Sequence, residues 1–157
     1  HARLEEWDEA IGAYREALHI DQKTEIERDP DAGEQRLPSG EHAADAETNL
    51  AYALWESGRS EQALEHAERA VEIDPRFPQA WYNRGFFLRE RGLNEEAVNA
   101  FDNAIRLGMR TADVLEEKAA ALEELGQDEE AEQAQQQADE LRQEREQEML
   151  QQQQQNR

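Results

Sequence analysis

One pattern of 34 residues recurs three times through the middle of this 157-residue chain, and a period of that length leaves little room for anything but an array of stacked helical units. Aligning residues 44–77, 78–111 and 112–145 puts Ala63, Ala97 and Ala131 in column 20, and Ala70, Ala104 and Ala138 in column 27. Column 15 is Gly58, Gly92 and Gly126, and column 8 is Ala51, Gly85 and Ala119. Small residues thus fall wherever two helices of one unit must approach closely, and Leu54, Leu88 and Leu122 in column 11 fill the space between. Column 17, just after the glycine turn, is Ser60, Asn94 and Asp128, residue types that suit the N-cap of a second helix. Acids follow at once (Glu61; Glu95 and Glu96; Glu129 and Glu130), where the positive end of a helix dipole favours them. Pro75 closes the second helix of the first copy, whereas Met109 and Gln143 stand in its place in the others. With no breaker after Asp128, the last helix is expected to run well past Leu141 and the glutamine tract at 151–155 to fray.

The pattern resembles the tetratricopeptide repeat, and the middle copy carries the resemblance best, with Trp81, Gly85, Gly92, Ala97, Phe101 and Ala104 where that family has them. The resemblance implies an all-α fold, a right-handed superhelical solenoid of stacked helix-turn-helix repeats. Residues 1–24 match only the second helix of a unit, with Trp7 in column 17, Ala10 in 20, Tyr14 in 24 and Ala17 in 27. The chain therefore begins inside a unit, and its natural start is expected to lie upstream. Residues 25–43 carry Pro30, Gly33, Pro38 and Gly40 and read as a helix extension followed by a loop. Repeats at 44–77 and 78–111 follow, then a terminal repeat at 112–145 and a Gln-rich helical extension at 146–157 with a frayed end. In columns 21, 24 and 28 the terminal repeat has Glu132, Gln135 and Asp139 where the half-unit has Ile11, Tyr14 and Leu18, so the array ends on a polar face. At the opposite end Trp7, Ile11, Tyr14 and Leu18 are expected to stand uncovered and to pair with a second copy as a homodimer.

No constellation of residues points to catalysis or to a cofactor. The four histidines, His1, His19, His42 and His66, stand alone without the second histidine a zinc site needs and read as helix-surface residues, and there is no cysteine. Asp29, Asp31 and Gly33 alternate as in a calcium loop, but the required glycine position is Glu34 and the bidentate position Gly40. No glycine-rich phosphate loop or serine elbow occurs. A net charge of -21 argues against nucleic acid or an anionic membrane as partner, because either requires a basic stripe. No run approaches the length of a membrane span, and the expected localisation is cytoplasmic. Charge is uneven: residues 78–111 carry 5 basic and 4 acidic side chains, residues 112–157 carry 4 and 14. Arginine far outnumbers lysine, of which there are only Lys23 and Lys118, under a coat of 38 acids, a composition similar to that of proteins from salt-loving organisms.

Function must then lie on a surface, and the family's geometry indicates which. In tetratricopeptide arrays the first helix of each repeat lines a concave groove through columns 2, 5, 9, 12 and 13, one helical face by the 3-4 spacing rule. In the first two repeats those columns bring Tyr52, Trp55, Tyr82 and Phe86 together beside Arg89, with Thr48 in the same set and Asn83 adjoining. Aromatic rings with an arginine are the composition of an interaction hot spot. The family's carboxylate clamp for chaperone tails maps onto Thr48, Tyr52, Asn83, Asp113 and Glu117; only Asn83 matches, and the two acids would repel such a tail. The resemblance thus implies a non-catalytic scaffold that binds a peptide or helix segment of a partner protein in its groove, without cofactor or metal. The alternatives are a regulatory or docking arm of a larger enzyme, and a self-assembly element.

Overall fold

The computed structural model describes residues 2–28 and 42–155, and these hold seven helices and no strand. In chain order they are α1 (Ala2–Arg28), α2 (Ala43–Glu56), α3 (Ser60–Ile73), α4 (Pro78–Glu90), α5 (Asn94–Arg106), α6 (Ala112–Glu124) and α7 (Asp128–Gln155). The pairs α2/α3, α4/α5 and α6/α7 are the three repeats, each packed within itself and on the next. α2 touches α4 and α4 touches α6, while α3, α5 and α7 make no contact with one another. The layer whose members approach each other is the inner side of the curve, so α2, α4 and α6 line the concave face. The loop expected before the first full repeat falls largely on residues 29–41, outside the described residues.

Each turn inside a repeat is closed by its column-15 glycine. Gly58, Gly92 and Gly126 have φ of 82°, 77° and 70°, the left-handed region that a side chain would strain. There the amide of Gly58 donates to Trp55 O and that of Arg59 to Leu54 O, and the pairs Gly92/Leu93 and Gly126/Gln127 repeat the motif. This geometry corrects the expected N-caps. The carbonyls of Arg59, Leu93 and Gln127 accept the first helical amides, those of Ala63, Ala97 and Ala131, so each second helix begins one residue early. Ser60, Asn94 and Asp128 are then first helical residues rather than caps, and no side chain caps α3 or α5. Among α2 to α6 the side-chain cap is Thr111 on α6, which accepts from Val114 N at 3.4 Å. α3 ends at Ile73, with Asp74 extended before Pro75 as the proline demands. Lacking that proline, α5 ends at Arg106 and the chain turns at Gly108, whose φ is 99°. α7 stays helical through Gln155, so the glutamine tract expected to fray is drawn as helix.

The alanine columns are the intra-repeat seam. Ala63, Ala70, Ala97, Ala104 and Ala138 are fully buried, as are Leu54, Phe87 and Phe101 or nearly so. At Gly85 a Cβ would come within 2.8 Å of the Phe101 ring. Where column 24 holds Ala67 instead of Phe101, column 8 can hold Ala51, so the two columns exchange volume across the seam.

α1 departs from expectation. Its one neighbour among the described residues is α2, against which Ile11 and Leu18 are buried to 2% and 9%, with Trp7 and Tyr14 half-buried beside them. The face expected to stand open for a second copy is therefore covered, because its apolar residues belong to the contact with the following repeat. The unpartnered face is the alanine one: Ala10 is half-buried and Ala17 exposed, whereas the same columns of later repeats are sealed.

Candidate peptide-binding groove

On the inner layer, successive turns of α2 and α4 present aromatic rings that touch edge to face. Trp55 meets Phe86 at 5.7 Å between ring centroids and stacks on buried Phe87 at 4.8 Å, which roots half of its surface in the core. Phe86 is half-buried, and the guanidinium of Arg89 lies 5.7 Å from the centre of its ring. Tyr82, half-buried one turn earlier on α4, leans on Phe101 from the second layer. Tyr52 is 48% exposed, and Trp7 of α1 closes on it in a T-shaped pair at 5.9 Å. The row therefore runs from Trp7 through Tyr52 and Trp55 to Phe86 and Tyr82, with no described helix over it. Trp7, expected in a self-association face, thus extends the aromatic surface; the signal that could have found it is its place at the first turn of the half-unit's helix.

Two of the expected groove residues lie beneath that surface. Thr48 is 2% exposed, and its hydroxyl donates to Ala44 O at 2.7 Å. Asn83 is 6% exposed, donates to Thr48 O at 3.4 Å and accepts from Gln79 Nε2 at 2.9 Å. The Thr48 hydroxyl is satisfied within its own helix, while the Asn83 amide bonds the backbone of α2 across the seam, so each buried polar group has a partner other than water. They join the repeats rather than offer contacts to a ligand.

The far wall of the groove is acidic. Arg89 donates from Nε to Glu117 Oε2 at 2.7 Å and from Nη2 to Glu90 Oε1 at 2.5 Å, so two carboxylates flank its guanidinium. Arg142 of α7 reaches Glu116 and Asp113 in the same manner. Tyr82 has its phenol pKa raised, first by burial and then by the charges of Glu117 and Asp113; that of Tyr52 is raised by partial burial and then by Glu56. Elsewhere, Glu47 is buried and bonded at 2.5 Å to Nδ1 of His66, which is not the free surface histidine expected from its isolation in sequence. Among the described residues no cluster of histidine, cysteine or acid could hold a metal ion, and no helix is long and apolar enough to cross a membrane.

The tetratricopeptide repeat family model matches residues 48–98 and 88–145, together more than half of the chain. The chain belongs to the tetratricopeptide repeat family. No curated protein sequence matches it. Among solved structures, this tetratricopeptide protein is similar to MamA, at 21% identity and a TM-score of 0.64, over 90% of this chain and 91% of that one. It is similar to the second tetratricopeptide domain of Spaghetti (RPAP3) bound to the HSP90 peptide SRMEEVD, at 23% identity and a TM-score of 0.60, over 62% of this chain and 91% of that one. A third is YrrB, described as a tetratricopeptide protein with an unusual peptide-binding site, at 26% identity and a TM-score of 0.60, over 76% of this chain and 56% of that one. These likenesses show the fold, over as much as 90% of this chain in the case of MamA.

Proposed function

We propose that the protein is a non-catalytic interaction scaffold that binds a peptide or helix segment of a partner protein along the concave face of α2, α4 and α6. One observation carries this reading: the paired rings of Trp7 and Tyr52 and of Trp55 and Phe86 share one face with no described helix over it, led by Tyr52 at 48% exposed, on the layer that bends inward. Rigid aromatic rings contribute large contact area at little entropy cost, and half-buried rings gathered beside an exposed one offer an apolar surface for a partner to cover. RPAP3 was solved with a peptide and YrrB is described by its peptide-binding site, so the fold has precedent for this use. A net charge of -21 keeps nucleic acid outside the proposal. Self-assembly through Ile11 and Leu18 has lost its surface, since α2 covers both.

The test is a phage-displayed random-peptide library panned on the wild-type protein, with Phe86→Ala as the counter-selecting surface. Enriched sequences that bind the wild type and not Phe86→Ala, while that variant keeps its helix content, support the groove. Enriched peptides that bind both alike would move the site away from α4.

A further inference from the structure

The groove's charge restricts what its occupant can be, an inference that rests on the groove reading above. Arg89 is the cation nearest the rings, and it is already held by Glu117 and Glu90. Lys118, the one lysine on α6, is tied to Asp102 on the opposite layer at 2.6 Å, and Arg142 is tied to Glu116 and Asp113. Among the described residues no groove cation is left to receive a ligand carboxylate. The acids, by contrast, are in excess: Asp113 keeps 79% of its side chain exposed, and Glu56 and Glu123 are exposed at the groove's other turns. The ring faces add the negative side of their quadrupoles to the same field.

We infer that the segment this groove binds is cationic: an apolar anchor that sits on the rings of Phe86 and Trp55, flanked by arginines or lysines that meet the acids of α6 and Glu56. An acidic tail of the kind RPAP3 was solved with has the wrong sign for this groove. The phenol pKa values of Tyr52 and Tyr82 are raised first by burial and then by Glu56 and by Glu117 and Asp113, the direction expected beside these acids. Complementary charge of this kind sets partner choice and association rate, and the apolar anchor sets residence time.

The experiment uses two fluorescein-labelled peptides that share a leucine-phenylalanine core, one flanked by arginines and lysines and one by glutamates, titrated by anisotropy into the full chain. The basic peptide is expected to bind roughly ten-fold or more tightly in dilute buffer, with the difference shrinking in molar salt. Neutralising the groove with Asp113→Asn and Glu117→Gln is expected to narrow the preference. A control chain of equal net charge, Glu129→Gln and Glu130→Gln on the first turn of α7, is expected to keep it, which separates a local field from the general acidity of the surface. Equal or tighter binding of the glutamate peptide, no binding of the basic one, or the same loss in both charge variants would overturn the inference. Basic-peptide binding indifferent to Phe86→Ala would instead strike at the groove itself and leave the charge preference a property of the whole acidic surface.

Discussion

α4 and α6 occupy the same place in successive repeats, yet they agree best where they are buried. Leu88 and Leu122 fill column 11 at 2% and 3% exposure, and Gly85 and Ala119 keep column 8 small. On the open face, Tyr82, Phe86 and Arg89 of α4 stand opposite the register of Glu116, Ala120 and Glu123 of α6. A buried column answers to the volume of its neighbours, so it repeats with the unit. A helix column on the open face meets no such neighbour and is free to be aromatic in one repeat and acidic in the next. The difference separates what the solenoid needs from what its partner needs, and it makes the paired columns of α4 and α6 the place to test both.

The largest effects are expected where the two helices agree. Leu88→Ala and Leu122→Ala should each cost about 4 kcal/mol in urea unfolding, from lost transfer free energy plus the cavity left behind. Similar costs would make the two repeats one scaffold; a cost near zero at Leu122 would show that the terminal repeat is loosely packed. Next comes the buried pair of the first repeat. His66→Ala should destabilise by about 3 kcal/mol, because Glu47, 2% exposed, keeps a buried carboxylate without its partner. Glu47→Leu, which gives column 4 the residue that Leu115 has in the terminal repeat, should cost far less; an equal loss would mean that the pair itself, and not the stranded charge, sets the effect.

Where the helices differ, the effect should move from stability to binding. Phe86→Ala is expected to lower affinity for a panned peptide by about 2 kcal/mol with little change in melting temperature, while Glu123→Ala in the corresponding α6 region should leave the apolar contact intact. Parallel loss of folding in Phe86→Ala would make that ring part of the core. Smallest per residue is self-repulsion. Residues 112–157 carry 14 acids against 4 bases and residues 78–111 carry 4 against 5, so molar KCl should raise amide-exchange protection more in α6 and α7 than in α4 and α5. Equal gains in both repeats would remove charge as the cause.

The buried columns were legible in the sequence because period and residue size report directly on close approach. Glycine turns were legible for the same reason, but the caps after them were not: the glycine's left-handed turn hands the first helical amide to the residue before Ser60, Asn94 or Asp128. Column position gives a face but not a depth, which is why Thr48 and Asn83 read as groove residues and lie in the seam. His66 and Glu47 are 19 residues apart, a spacing that no local pattern registers. On α1 the large residues drew attention to the face that α2 covers, while the unpartnered face carries alanines, whose apolar signal is weak.

The central claim, that the inner layer is the binding surface, is tested most directly by amide chemical shifts in a titration of the labelled protein with a panned peptide. The account predicts shifts concentrated on α2 and α4 around Tyr52, Tyr82 and Phe86, extending to the facing turns of α6, with α3 and α5 nearly silent. Shifts concentrated on the outer layer of α3, α5 and α7, with the aromatic row unmoved, would contradict it.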